Sequence, residues 1–562
     1  MDWILINQKL HYAMRISANF ILTIKHNNMN KASSNSISRK MKRAFILFLV
    51  ISFFSLISFG QPFVDTHVKN KWVAQNIFIG LPPDTTTPPA FNTIRDQLPQ
   101  PYWTSKPDAI QCYWRTWEIA FSNLKKVVPK SGFVSPFIDP AFNGNIFMWD
   151  CSFMTMYGKY AMPAFNFQNT LNNFYAKQHA DGFICREIRE STGTDCFERF
   201  DPSSTGPNIM PWSEWEYFLN FNDTARLAKV FPPLLAYYEW FNTYRSWPDG
   251  TYFSSGWGCG MDNQPRMPAN FNAGWSHGFM SWIDISLQQV YAGSVLIKMA
   301  NKLNRKADVL SIEKETESLN QFINRYMWDE KKQYYFDRYQ NGELSSVKSI
   351  ASYWALLSGT LPENRKNSFI GHLTDTAMFA RTHRVPTLSA DHPNFNPDGG
   401  YWNGAVWAPT NYMLLRGLTQ YGYDSLAFEI AKNHLNNVVQ VFNTTHDIRE
   451  NYAPDKVQGN DGKNFVGWTG LVPIADLFEY VFGIRPNVPE NSLVIDVRLT
   501  DEYGIKRYPY GKTGMLDIDC KKRKRETDKP EVTINSNTPL KIILKWRGGE
   551  LVKQITAETT VL

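Results

Sequence analysis

From about Pro107 to Phe482 the chain carries apolar residues at helical spacing, interrupted by long loops rich in glycine and aromatic residues. The pattern predicts roughly twelve helices, over 107–126, 150–160, 164–178, 208–220, 223–246, 276–303, 304–326, 347–358, 362–373, 403–418, 423–440 and 470–482. Two kinds alternate. Over 304–326, Ile312, Leu319, Phe322, Ile323 and Tyr326 share one face, with Glu313, Lys314, Glu315 and Glu317 off it. Over 276–303, Phe279, Trp282, Ile283, Leu287, Val290, Tyr291, Val295, Leu296 and Ile297 leave no polar side, and a helix apolar all round is buried. Amphipathic outer helices around buried inner ones predict a mainly α fold of six hairpins closed into a toroid, an (α/α)6 barrel. A solenoid of helical pairs is the alternative, but no repeat period is visible.

The flanks differ in texture. Residues 61–100 are Pro- and Thr-rich, as in Leu81-Pro82-Pro83-Asp84-Thr85-Thr86-Thr87-Pro88-Pro89, and read as an extended lead-in without helix. After Pro486 come short β-rich runs, Leu493–Leu499, Met515–Ile518, Val532–Ile534 and Leu540–Leu544, between turn residues. The expected organisation is an N-terminal extension and signal peptide over 1–60, the lead-in over 61–100, a catalytic barrel over 101–486 and a small β module over 487–562. The basic run Lys521–Arg525 reads as a solvated hairpin.

The formal charge of +7 comes from the N-terminus. Residues 1–43 hold eight of the 59 basic side chains and one of the 52 acidic ones, so 51 of each remain. A phosphate-binding surface needs a basic footprint, and a neutral chain fits a neutral ligand, not nucleic acid. Met41-Lys42-Arg43, the uncharged apolar run Ala44–Phe59, and Ser58 and Gly60 before a cut at Gln61 form a secretory signal, with Met41 a plausible start and export the expected fate. The run is short for a membrane span, so none is expected in the mature chain. The six cysteines match no zinc spacing; Cys185 and Cys196 are the one sequence-close pair, and mostly free buried thiols are expected. No metal or cofactor is implied.

Aromatic residues reach 15%, and sixteen of 19 tryptophans lie between Trp103 and Trp468. Flat aromatic faces pack cores and also stack on the C–H faces of sugars. Cleaving a glycosidic bond takes two carboxyl groups, one a proton donor and the other a nucleophile or base. Two candidates stand in unusual settings. Asp262 lies in Ser255-Gly256-Trp257-Gly258-Cys259-Gly260-Met261-Asp262-Asn263-Gln264-Pro265-Arg266, whose glycines and proline exclude a helix and put an acid on a Trp-lined loop. Glu450 lies in Arg449-Glu450-Asn451-Tyr452-Ala453-Pro454. Taken singly, a turn aspartate bonded to its own backbone and a salt bridge from Glu450 to Arg449 or another nearby base explain them better than catalysis does. Three further segments fall between predicted helices, where a toroid gathers its loops at one end: Trp149-Asp150, Asp181–Glu187, and Gly399–Tyr412 with its Gly/Trp/Asn loop.

In order and spacing, Gly260–Arg266, Tyr401-Trp402-Asn403-Gly404-Ala405-Val406-Trp407 and Glu450-Asn451-Tyr452 resemble glycoside hydrolase family 63, the family of processing α-glucosidases and mannosylglycerate/glucosylglycerate hydrolases. The likeness spans about residues 100–485; a more distant one is to the trehalases of family 37. The resemblance implies an (α/α)6 barrel and an inverting mechanism, with Asp262 as general acid and Glu450 as general base. It places Trp149, Asp150, Arg186, Glu187, Asn263, Trp402, Asn403 and Trp407 around the sugar. Trp257 joins them from the acid loop, and Arg266 is the nearest cation to the acid for a glycerate leaving group. The chain departs from the family pattern at Trp257–Gly260, which intervene after Ser255-Gly256, at Gln264 in place of Ser, and at Asn403 in place of a basic residue.

The expected substrate is a small α-glycoside, an α-glucoside foremost, held at its non-reducing end in a pocket roofed by Trp149, Trp257, Trp275, Trp402 and Trp407. Trehalose, a glucosyl oligosaccharide and a glycerate glycoside stay open. Two other classes compete: a polysaccharide lyase, which needs Tyr, His or Arg and a basic groove, and a non-catalytic glycan-binding surface protein.

Overall fold

Helix Leu310–Tyr326 buries Ile312, Thr316, Leu319 and Ile323 and exposes Glu313 and Glu317, while Glu315, expected off the buried face, turns in to accept from the Tyr252 hydroxyl. Tyr326, expected on the buried face, is 42% exposed at the last turn. Its partner Ile283–Lys302 is buried along most of its length. The pattern placed the start of this second helix at 276, seven residues early. Phe279 sits in left-handed backbone at φ 50° and Ser281 pairs with Arg338 as a β-bridge, so the helix begins only after the extended Trp282. The computed structural model describes residues 68–562 except 141–142, 461 and 463–464. The expected signal segment at 41–60 lies outside the described residues.

The other predicted helices appear as Pro107–Ser122, Met148–Gly158, Thr170–Ala176, Met210–Phe221, Thr224–Tyr244, Trp354–Leu357, Lys366–Gly371, Ala408–Gln420, Asp424–Thr445 and the tandem Gly467–Leu471 and Val472–Val481, the last with wide turns. Every residue of Met148–Gly158 and of Val472–Val481 is buried. Met148–Gly158 packs on Met210–Phe221, that on Ile283–Lys302, that on Trp354–Leu357, that on Ala408–Gln420, that on Gly467–Leu471, and the last again on Met148–Gly158. Pro107–Ser122, Thr224–Tyr244, Leu310–Tyr326 and Asp424–Thr445 pack against members of this series.

The C-terminal part is a β-sheet region. One sheet runs Gln100–Trp103, Tyr503–Tyr510, Gly514–Cys520, Val532–Ser536, Thr559–Val561, all antiparallel. The other runs Gly549–Ile555, Leu540–Trp546, Ser492–Asp496, Ile484–Asn487, with one parallel pair, Leu540–Trp546 beside Ser492–Asp496. Two expectations change here. The lead-in is not all extended: Phe91–Ile94 and Arg95–Gln97 form short helical turns once the proline run ends, and Gln100 already belongs to the edge strand on Tyr503–Lys506. The segment around Asp262 is not free of helix either. Gly256–Cys259 makes one helical turn, nucleated by Ser255 Oγ accepting from the Gly258 N–H and ended by Gly260 at φ 79°. The six cysteines are free thiols. No described helix is long and apolar enough to cross a membrane.

Candidate active site

Four loop systems meet at one cavity of about 240 Å³, lined among others by Trp149, Asp150, Arg186, Trp257, Asp262, Tyr401, Trp402, Glu450 and Trp468. The short strand Asn145–Phe147 pairs with Glu187–Arg189, and the Met148 N–H donates to the Arg186 carbonyl at 2.7 Å. This pairing sets Trp149 and Asp150, in the first turn of their helix, beside Arg186. The Arg186 guanidinium is steadied by the Ser203 carbonyl (2.8 Å), by Glu187 (3.5 Å) and by the Phe197 ring (4.4 Å to its centroid).

Asp262 follows the helical turn through Gly260. A Cβ there would stand 3.2 Å from Trp149 Nε1, so the left-handed backbone and the close indole both favour glycine. Past the acid, Asn263 Nδ2 donates to the Gly400 carbonyl (3.2 Å), and Asn263 Oδ1 accepts from the Trp402 N–H (2.9 Å), fastening the two loops together. Trp402 lies flat on Trp407, 3.7 Å between centroids and 5° between planes. Glu450 is carried on a strand-like stretch whose Tyr452 pairs with Val406. Its carbonyl accepts from Trp468 Nε1 (3.3 Å), and its carboxylate accepts from Asn460 Nδ2 (2.8 Å).

Residues 146–469 match the family described as mannosylglycerate hydrolase MGH1-like glycoside hydrolase domain. The chain belongs to this glycoside hydrolase family. It is similar to an uncharacterised protein of Borreliella burgdorferi, 25% identical over 65% of this chain and 77% of the relative. It is similar also to the mannosylglycerate hydrolase of Thermus thermophilus, 28% identical over 26% of this chain and 34% of that one. A probable mannosyl-oligosaccharide glucosidase of Schizosaccharomyces pombe is 24% identical over 44% of this chain and 34% of its own length. The chain thus spans about a third of the relatives named for an activity. In fold it resembles the family 63 mannosylglycerate hydrolase of Thermus thermophilus solved with glucose, with TM-score 0.53 and 18% identity over 64% of this chain and 98% of that one. A family 78 rhamnosidase of Bacillus gives TM-score 0.57 at 13% identity over 80% of this chain and 42% of that one.

The electrostatics of this glycosidase's cavity follow from burial. Burial pushes Asp262 up to about 6 against the pull of Arg186. Burial, with the nearby Asp262 charge, pushes Glu450 up to about 7 against the Asn460 hydrogen bond. Asp150 is raised well above the usual carboxylate range by burial first, and then by the charges of Glu450 and Asp262. The Tyr401 hydroxyl, on the same cavity wall, is raised by burial and by the same three carboxyls. Three buried polar atoms on lining residues, Trp149 Nε1, Asp150 Oδ1 and Trp402 Nε1, have no hydrogen-bond partner. Among the described residues no three His, Cys, Asp or Glu side chains converge to hold a metal ion.

Of the residues expected here from sequence, Trp149, Asp150, Arg186, Trp257, Asp262, Trp402 and Glu450 line the cavity. Glu187, Asn263, Asn403 and Trp407 do not; Glu187 accepts from Asn145 Nδ2 (2.7 Å), and Trp407 backs Trp402. Arg266 does not reach the cavity either. Its guanidinium, 1% exposed, is clamped by Asp284 and Asp337 at 2.6–2.8 Å and lies over Trp282, which spends its donors and its charge inside the core. The sequence reading missed Asn143, Phe147, Trp468 and Asn460. Tyr401 stood in the Trp402 motif, and its left-handed φ of 61° was invisible in the sequence.

Proposed function

We propose that this glycosidase is an (α/α)6-barrel enzyme that removes a terminal α-linked sugar, an α-glucosyl unit foremost, with inversion. The closed series of buried helices supports the barrel. The observation that carries the reaction is the convergence of two carboxyls with raised pKa, Asp262 and Glu450, on one Trp-lined cavity. At about 240 Å³ it is smaller than the ~300–1,000 Å³ of drug-sized pockets, which favours gripping one terminal ring over threading a polymer. Asp150 Oδ1 and Trp149 Nε1 are buried without a partner beside the cavity, which suits them to meet a sugar hydroxyl once a ring is bound, and Trp407 stacked behind it stiffens Trp402.

Roles follow from hydrogen bonding. Asn460 donates to Glu450, which favours the ionised form and suits the base that deprotonates water. Asp262 has no side-chain donor among the described residues and suits the acid that protonates the leaving oxygen. Burial raises both carboxyls, so the pair's single proton is shared between them, and only the form with the proton on Asp262 is productive. Inversion calls for carboxyls roughly 6.5–9.5 Å apart with a water between them. The three carboxyls would repel a uronate chain, which argues against a lyase. If the leaving group is glycerate, as the relatives' names allow, Arg186 and not Arg266 is the cation within the cavity. The N-terminal pattern at 41–60 supports export, and N-terminal sequencing of the native protein checks it. The main test is ¹H NMR during hydrolysis of trehalose, α-glucosyl oligosaccharides and glucosyl- and mannosylglycerate. A β-anomer from the ring whose C1–O bond breaks supports the proposal, which for trehalose means equal α- and β-glucose because the leaving ring keeps its configuration; release of the α-anomer alone, or cleavage of β-linked substrates alone, overturns it.

A further inference from the structure

Trp257 lines the cavity, and against it packs a second indole, Trp275, which the sequence placed in the pocket roof but which is not among the lining residues. Trp275 is 52% exposed and meets Trp257 edge-on, centroids 4.8 Å apart and planes at 89°. Its segment is fastened to the acid loop. The Gly256 N–H donates to the Ala273 carbonyl (2.9 Å) and the Trp257 N–H to the Gly274 carbonyl (2.8 Å). Asn272 Oδ1 accepts from the N–H groups of Gly274 (2.9 Å) and Trp275 (3.2 Å). The backbone at Gly274 runs close under the Trp257 ring, where a Cβ would lie 3.1 Å from Trp257 Nε1. A large indole is thus kept half in water by a backbone that fixes it relative to Asp262. Burying such a face gains free energy in proportion to the apolar area covered, and Trp faces held this way anchor binding sites.

We infer that Trp275 is a platform for the second ring of the leaving group, and that the substrate is an α-linked oligosaccharide of at least three rings. The inference rests on the proposed role of Asp262 as acid. The acid faces the leaving oxygen, so the loop that carries Asp262, Trp257 and the strapped Trp275 borders the leaving-group side. The cavity takes the terminal ring, Trp257 flanks the next, and Trp275 meets the one after; glycerate is too short to reach it. The test compares the wild-type enzyme with Trp275→Ala and Trp275→Phe on maltose and maltotetraose, and on nigerose and nigerotetraose. For the linkage that is cleaved, W275A should raise KM for the tetrasaccharide roughly tenfold, with kcat and the disaccharide KM unchanged, and W275F should restore most of the loss. Equal effects on di- and tetrasaccharide, or none, overturn the platform and leave the glycosidase reading intact. Cleavage only of trehalose or a glycerate glycoside does the same. No turnover of any α-glycoside by the wild-type enzyme overturns both.

Discussion

Asn460 holds Glu450 at two points: its Nδ2 donates to Glu450 Oε2 at 2.8 Å, and its Oδ1 accepts the Glu450 backbone N–H at 3.1 Å. One side chain thereby orients the carboxylate and lowers its pKa against burial. In Asn460→Ala the carboxyl loses its donor and its pKa rises further. A base works ionised; since Glu450 has the higher of the two values, its rise should move the alkaline limb of the kcat/KM profile to higher pH and lower the maximum. A hydrogen bond to a charged group is worth about 1.5–3 kcal/mol, so kcat/KM near neutrality should drop by roughly tenfold or more. An unshifted limb would remove Asn460 from the positioning role.

The two carboxyls should be separable from the fold. Asp262→Asn and Glu450→Gln keep shape and remove proton transfer, and each should cost about 10²–10⁴ in kcat. Circular dichroism and the melting temperature should stay near wild type. Near wild-type turnover in either variant refutes that assignment.

The pH profile should be a narrow bell. With the carboxyls at about 6 and about 7, kcat/KM should peak between these values and fall on both sides. The acid must keep its proton and the base must lose one, so low pH silences Glu450 and high pH silences Asp262. The bell is the same whichever carboxyl owns which limb. A plateau extending past pH 9 would contradict the pair.

The helices were legible where periodicity and burial coincide, as over Leu310–Tyr326, and misjudged where apolar residues serve a loop. Phe279 and Trp282 look like helix core in sequence but stand in left-handed and extended backbone. The edge strand Gln100–Trp103 pairs with Tyr503–Lys506, a partnership made by chain closure that no local pattern shows. In the site, Asp262, Glu450, Trp149 and Trp402 were legible because motif and loop setting agree. Arg266 misled because nearness in sequence does not fix direction: its side chain turns into the core while its neighbour Asp262 faces the cavity. Asn460 gave no signal, since its contact with Glu450 arises only when the loop folds back.

Arg266 should matter for stability. It neutralises Asp284 and Asp337, 0% and 2% exposed, and Asp337 Oδ1 also accepts the Ile283 N–H at the start of its helix. Arg266→Met would strand two buried carboxylates, and breaking a buried ion pair costs about 3–5 kcal/mol. Denaturant unfolding should show a loss of that order. A change within about 0.5 kcal/mol would mean that the cluster carries no net stability.

Asp476 should do the opposite. It lies in the fully buried helix Val472–Val481, both carboxyl oxygens lack a partner, and burial, with the nearby Glu479 charge, raises its pKa well above the usual range. Below about pH 4 the folded and unfolded chains both keep this proton, and the group contributes nothing. As pH rises the unfolded chain releases the proton freely, while the folded chain must retain it or bury an unpaired charge. The contribution of Asp476 to stability therefore falls as pH climbs from about 4 toward its folded pKa. Asparagine keeps the shape and cannot ionise. Asp476→Asn should raise the melting temperature at pH 7 and leave it unchanged at pH 4. A variant less stable than wild type at pH 7 would show that the aspartate is held there as a paired anion.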